Sequence, residues 1–262
     1  VKSIPVLSAR GLVKRYGEAL ALDGADFDLY PGEILVIAGE AGSGCSTLLS
    51  ALSGAVEPEA GEIRVWGEPA RFREPREALL AGLESVGLRP ALIGRLSVLD
   101  NFFLGREVRR RDVFGRAFRM LDRAAMKRIA EAMLLDTAPD FPSNLDQAVA
   151  CLPLFDRRIL EIARAVAFAS QAVLLDEPTV GLDEAQARCV VDLILEVKAR
   201  GLAIAVASGE APAVWSIADR IHIQRRGRRY AVVDPTSTGP AALMELMAGR
   251  RGGLWAGAEI LV

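Results

Sequence analysis

Apolar residues fall along this chain in two rhythms. The first is the short unbroken run: Ile34-Leu35-Val36-Ile37-Ala38, Ala172-Val173-Leu174-Leu175 and Leu202 to Ala207. Strands buried on both faces of a parallel sheet have this character. Ala21 to Leu29 instead alternates with period two and stops at Pro31-Gly32, so residues 7–30 predict short strands with a turn. Gly61 to Gly67 predicts a further strand, and Arg220 to Val233 predicts edge strands. The second rhythm is helical. Ile159, Ile162, Ala163 and Val166 share one face of a helix ending at Phe168, with Asp156 as its expected N-cap. Helices are also expected over Leu48 to Leu52, Glu77 to Leu83, about Phe118 to Leu135, and Ala185 to Lys198.

Strand and helix alternate on either side of a different stretch. Residues 89–157 carry no convincing strand pattern, so they predict a helical lobe inserted into a doubly wound α/β core. The expected boundaries are a core and strand subdomain over 1–88 and 158–235, the lobe over 89–157, and a C-terminal helix over 236–251. Together these form one domain, 1–251. An apolar, glycine-rich tail, 252–262, follows with no role assigned.

Composition changes this picture little. At 262 residues, half hydrophobic and a quarter charged, the chain is long enough to bury a large core. A net charge of −2 gives no nucleic-acid footprint. The lobe does hold Arg106, Arg109, Arg110, Arg111, Arg116, Arg119 and Arg123. These predict a solvated face or a surface near anionic lipid rather than a nucleic-acid groove. Cys45, Cys151 and Cys189 have unrelated spacings, which predicts neither disulfides nor a metal site. His222 is expected to be a packed strand residue. Val1-Lys2-Ser3 shows no signal-peptide pattern and no apolar run is long enough to span a bilayer. The expected location is cytoplasmic, free or peripheral on the inner face of the membrane.

The chemistry starts at Gly39-Glu40-Ala41-Gly42-Ser43-Gly44-Cys45-Ser46-Thr47, between an apolar run and a helical pattern. Strand, glycine turn and helix form the context of a phosphate-binding loop, in which backbone N–H groups and a helix N-terminus face one anion. One position breaks the pattern: Cys45 stands where lysine is expected. Asp176 ends a buried strand, where its carboxylate is placed to hold Mg²⁺ opposite the Ser46 hydroxyl. Glu177 beside it is placed to orient or deprotonate a water.

From Leu174 to Asp183 the chain resembles the Walker B strand and D-loop of ABC transporter nucleotide-binding subunits, and Lys14-Arg15-Tyr16-Gly17 resembles their adenine-stacking segment. The resemblance spans roughly residues 7–250. Within it, Ala21 to Leu35, Asn101 to Glu107 and Ala218 to Arg229 resemble importers of simple sugars such as fructose and ribose. It implies a P-loop NTPase fold with a RecA-like core, an antiparallel β subdomain and a helical lobe. It also implies ATP, Mg²⁺ and a membrane permease or second ABC subunit as partners, in a homodimer or heterodimer, and no nucleic acid. Tyr16, Gly39, Gly42, Ser43, Gly44, Cys45, Ser46 and Thr47 would contact nucleotide, Ser46 and Asp176 would hold metal, Glu177 would be catalytic, and Asp183 would belong to the D-loop.

The departures fall on residues the resemblance places against the triphosphate. Cys45 replaces the Walker A lysine and Leu88 the Q-loop glutamine. Leu152-Pro153-Leu154-Phe155-Asp156 replaces the LSGGQ signature, and Gly209 the switch histidine. A charged hydrogen bond is worth about 1.5–3 kcal/mol, so Cys45 alone costs at least roughly tenfold in affinity. The expected function is therefore a catalytically impaired or inactive subunit with weak or absent nucleotide binding, acting by docking. An ATPase that still drives carbohydrate import, with Arg89 or Arg95 supplying charge, is the alternative. A soluble regulatory ABC-like protein is the third. Cys45, at a helix N-terminus, is expected to be partly thiolate and the most reactive cysteine. Cys151 and Cys189 are expected in apolar surroundings.

Overall fold

A computed structural model describes residues 4–87, 92–110, 112, 120–142, 144–209 and 212–250. The chain divides into two compact units, 1–88 with 168–262, and 89–167.

The first unit contains two sheets. Strands β1 (Leu7–Tyr16), β2 (Ala19–Leu29), β4 (Ala60–Val65) and β5 (Glu68–Ala70) form an antiparallel sheet in the order β2-β1-β4-β5. The alternation in β2 slips once. Leu22 is buried, then Ala25, Phe27 and Leu29, with Gly24 at φ 77° absorbing the extra residue. The other sheet has the order β10-β9-β3-β8-β7-β6. It comprises β3 (Ile34–Ala38), β6 (Leu83–Val86), β7 (Ala172–Asp176), β8 (Ala203–Ala207), β9 (Arg220–Arg225) and β10 (Arg228–Val233). Only β10 runs antiparallel to its neighbour. All residues of β3, β7 and β8 are buried, as their unbroken apolar runs require.

Helix α1 (Cys45–Leu52) follows β3 and joins the two sheets, burying Leu48, Leu49, Ala51 and Leu52 in a cluster with Leu22, Phe27, Leu35, Ile37 and Leu174. Helix α2 (Pro75–Leu80) precedes β6. Where the sequence predicts a helix over Glu77 to Leu83, the chain turns out at Gly82, φ 82°. Leu83 then opens a short strand paired with β7 alone, and four residues with two polar ones carry too little pattern to announce it.

In the second unit, α3 (Val98–Phe102), α4 (Arg123–Thr137) and α5 (Leu154–Phe168) are the helices of four residues or more among the described residues, and the β pairing there consists of isolated bridges. Buried Asn101 accepts from Ile93 N–H at 2.7 Å and donates to the carbonyls of Ile93, Leu96 and Ser97, closing the loop before α3. The expected helix from Phe118 begins instead at Arg123, because the Asp122 carboxylate accepts from Ala125 N–H at 2.9 Å. Arg111, Arg116, Phe118 and Arg119 lie outside the described residues, as does the tail 252–262. Helix α5 starts earlier than expected. Arg157 N–H already donates to Pro153 O at 3.1 Å, so Asp156 sits in the first turn rather than capping it. The division between units falls at Ala167/Phe168, later than the 157/158 expected.

Helices α6 (Glu184–Ala199), α7 (Pro212–Trp215) and α8 (Pro240–Met247) belong to the first unit. There the sheets are also tied by charge. Arg229, on β10, meets Asp28 of β2 at 2.7 Å, both groups nearly buried, and Arg220 meets Glu33 at 2.8 Å. β9 is an interior strand of the sheet, not the expected edge. His222 lies within it, fully enclosed, with a ring nitrogen 2.8 Å from Gln224 Oε1. Among the described residues no helix is long and apolar enough to cross a membrane.

Burial pushes the His222 pKa down to about 4. The unfolded imidazole binds its proton near 6.5, so between those values the unfolded state holds more protons and stability rises with pH. This contribution is complete above pH 6.5 and is lost as pH falls toward 4, to the extent of roughly 3 kcal/mol. Urea unfolding at pH 7 and pH 5 measures it. The expected outcome is a shallower acid loss in His222→Leu than in the native chain.

Candidate functional site

Four strand ends meet at the carboxyl edge of the six-stranded sheet, where β9 and β8 flank β3 on opposite sides. Ligands of open α/β sheets bind at such a reversal. β3 delivers the loop 39–44, β7 delivers Asp176 and Glu177, β8 delivers Ser208 and Gly209, and β9 turns back through Arg226 and Gly227. Arg226 (φ 50°) and Gly227 (φ 75°) both have left-handed φ, as the central pair of a tight hairpin turn demands.

The loop is held by backbone. Gly227 N–H donates to Ser43 O at 2.9 Å, and Asp23 N–H donates to Gly227 O at 2.9 Å. Gly44, at φ 100°, turns against the Ala21 carbonyl, where a Cβ would overlap that oxygen. A Cβ on Gly227 would lie 2.8 Å from Asp23 N and 2.9 Å from Ala21 O. Gly39 likewise packs against the Gln224 carbonyl and Ser43. Gly42 is also left-handed, φ 82°, with open space where a Cβ would lie. Sequence reasoning found Gly39, Gly42 and Gly44 by their spacing. It missed Gly227, which is far away in the chain and belongs to no local motif.

Around this loop lies a cleft of about 1060 Å³. Ser46 Oγ donates to Asp176 Oδ1 at 3.0 Å, and burial raises the Asp176 pKa against that bond. Glu177 follows in the left-handed region, φ 48°, and its Oε1 accepts from Gly209 N–H at 2.9 Å. A β-carbon on Gly209 would find ordinary contacts at 3.5 Å, so nothing steric demands glycine there. Asp183 caps α6 in a capping box with Gln186. Thr47 lines the cleft with Cys45 and Ser46. Tyr16 is half exposed, with the Lys14 ammonium 5.8 Å from its ring centroid. It borders a separate depression with Arg15, Glu57 and Arg71. The cleft wall is instead completed by Ala19, Leu20, Val180 and the methionines Met244 and Met247.

The donor set fits a polyphosphate at the backbone, and it offers Ser46 and Asp176 to a Mg²⁺ that takes its remaining ligands from water and phosphate. No His, Cys, Asp or Glu cluster able to hold a metal by itself occurs among the described residues. Among the described lining residues there is also no Lys, Arg or His, while Glu40 and Glu177 are carboxylates.

A model of the ABC transporter family matches residues 22–180. The chain belongs to that family. It is 48% identical over 247 residues to the fructose import ATP-binding protein FrcA of Rhizobium meliloti, covering 94% of this chain and 95% of that one. It is 35% identical to the ribose import ATP-binding protein RbsA 1 of Rubrobacter xylanophilus, covering 94% of this chain but 47% of that relative. Among solved structures, a nucleotide-free ATP-binding cassette from an ABC transporter superposes with a TM-score of 0.76 over 93% of this chain, at 21% identity. An ABC cassette in its ADP conformation gives 0.74 at 22%. The fold is the α/β P-loop fold of ABC ATPases.

The positions expected to depart from the ABC pattern are spread over both units. Cys45 and Gly209 line the cleft. Leu88 and Arg89 lie outside the described residues. Pro153, Leu154 and Phe155 open α5 in the second unit, Pro153 and Leu154 exposed and Phe155 partly covered. The carbonyls of Ala150 and Leu152 just before them are taken by the Arg157 guanidinium, at 2.8 and 2.9 Å.

The exposure of the cysteines runs opposite to the expectation. Cys45 is half-buried with its sulfur 3.2 Å from Ser43 Oγ, whereas Cys151 and Cys189 are exposed. Burial raises the Cys45 thiol to about 11, against the lowering effect of the Ser43 bond, and the carboxylates of Asp176 and Glu177 push it further up. Desolvation and two nearby negative charges outweigh the helix N-terminus. Brief iodoacetamide treatment near neutral pH, mapped by mass spectrometry, should therefore label Cys151 and Cys189 well ahead of Cys45. Faster labelling of Cys45 would contradict this assignment.

Proposed function

We propose that the chain is an ATP-binding-type subunit of an importer of simple sugars that docks to a membrane permease, while its own cleft binds Mg-ATP weakly and hydrolyses it poorly or not at all. One observation carries the impairment. The cleft presents anion-binding backbone beside carboxylates and no cationic side chain among its described lining residues. An anion there is attracted by N–H groups and the α1 dipole alone, each weaker than a charge-assisted contact. The likeness to a fructose import ATP-binding protein over nearly the whole length of both chains supports the sugar-import setting.

A second reading keeps ATP hydrolysis, with positive charge supplied by a partner chain. The Ser46–Asp176 pair and the Glu177 carboxylate anchored on Gly209 favour it, because the metal and water-handling groups remain in place. Bound Mg²⁺ would supply charge neutralisation at the phosphates.

Phosphate release separates the two. The isolated chain should show no Mg-ATP turnover above background. Turnover on the order of 1 s⁻¹ that Glu177→Gln abolishes would establish the second reading instead. Cys45→Lys should tighten Mg-ATP binding by about tenfold or more without giving robust hydrolysis. Docking is tested through exposed Leu104 in the second unit. Leu104→Asp should abolish co-purification with the permease and leave the thermal midpoint unchanged; retained co-purification would count against docking through this surface.

A further inference from the structure

The phosphate loop draws anions through its backbone alone. The N–H of Ser43 is already taken by the Glu40 carbonyl at 2.9 Å, and that of Leu48 closes the first turn of α1 on Gly44 O at 2.8 Å. The N–H groups of Cys45, Ser46 and Thr47 open the helix and have no acceptor within it. Those groups and the helix dipole supply the attraction. The Cys45 side chain adds no ammonium to it; its sulfur lies 3.2 Å from Ser43 Oγ.

Carboxylates oppose this attraction. Glu40 and Glu177 line the cleft. Asp176 lies one hydrogen bond behind Ser46, whose Oγ donates to Asp176 Oδ1 at 3.0 Å. The hairpin that holds the loop is rich in arginine, yet Arg228 is paired with Asp23 at 2.9 Å and Arg229 with Asp28 at 2.7 Å. A bare polyphosphate therefore meets charges of its own sign beside the N–H groups that would hold it. The sign of the Asp176 effect turns over once the guest brings a cation. Ser46 Oγ and Asp176 are oxygen donors of the kind Mg²⁺ takes, with water and phosphate completing its shell. The positive charge that no lining side chain supplies then arrives with the ligand.

We propose that this cleft accepts a polyphosphate only as its complex with a divalent cation, and that Cys45 and Asp176 together set this requirement. Cys45 does so by supplying no charge, and Asp176 by repelling the bare anion while ligating the cation. This rests on the reading of the cleft as a phosphate cleft, and adds a choice between two ionic forms of one guest.

The test is calorimetric titration of the full chain with ATP, once in excess Mg²⁺ and once in EDTA, at one ionic strength so that screening is equal. The native chain should hold metal-free ATP at least about tenfold more weakly than Mg-ATP. Asp176→Asn should move the two forms in opposite directions, tightening metal-free ATP and weakening Mg-ATP. A residue that only kept the cleft in shape would move both the same way. Cys45→Lys should tighten metal-free ATP more than Mg-ATP and so narrow the gap, whereas Cys45→Ser should keep the native gap. Thermal midpoints without ligand check that each variant is folded. The proposal is overturned, with the phosphate cleft left standing, if the native chain holds both forms equally, if Cys45→Lys leaves the gap unchanged, or if Asp176→Asn weakens both forms or neither. It is overturned in the same way if Cys45→Lys binds Mg-ATP and the native chain does not, because the metal then fails to stand in for the missing charge. If neither chain binds Mg-ATP, the reading of the cleft itself falls.

Discussion

The phosphate loop keeps its shape because three backbone segments touch with no side chain between them. Gly44 lies on the Ala21 carbonyl, Gly227 lies on the same carbonyl and on Asp23 N, and hydrogen bonds from Ser43 O through Gly227 to Asp23 run across the contact. Contacts this close admit only glycine. The β2 strand, the loop and the β9–β10 turn are therefore one object, although Ala21 and Gly227 stand at opposite ends of the chain. The ion pair of Arg229 with Asp28 ties β10 to β2 a few residues away, and Arg220 on β9 pairs with Glu33 in the turn before β3. Burying those charges is costly unless they stay paired, which favours this arrangement over slipped ones.

This scaffold does not depend on Cys45 or Gly209. Cys45 begins α1 with its thiol tucked beside Ser43, and Gly209 has room for a side chain it lacks. Neither is needed by the backbone contacts that define the loop. What they change is the electrostatic character of the cleft. Asp176 and Glu177 face a loop without a compensating ammonium, and the protein responds as burial dictates, raising the pKa values of Asp176 and Cys45.

Much of this was legible in the sequence. The buried strands β3, β7 and β8 were readable because parallel strands are apolar on both faces, and the loop because its glycines repeat at fixed spacing. β6 escaped because four residues with two polar ones look like the end of a helix. The N-cap at Asp156 was misjudged because Pro153, not a polar residue, opens α5. The surroundings of the cysteines escaped for a physical reason: a helix N-terminus is visible in sequence, whereas burial beside Asp176 and Glu177 is a property of the folded chain. Gly227 had no signal at all, since its role comes from contacts across the fold.

An anion cradle made of peptide N–H groups has no titration of its own. Wherever the fold is intact, the pull exerted by Gly42, Gly44 and the first turn of α1 stays constant across the physiological pH range, the Ser43 N–H being taken by the Glu40 carbonyl. Being dipolar and close-range, it is also less open to screening by salt than a field of surface charges. Proton-dependent behaviour in this cleft is then left to its acidic side. Acidification would discharge Asp176 before an ordinary carboxylate, removing a negative charge from beside the loop together with the ligand offered to Mg²⁺.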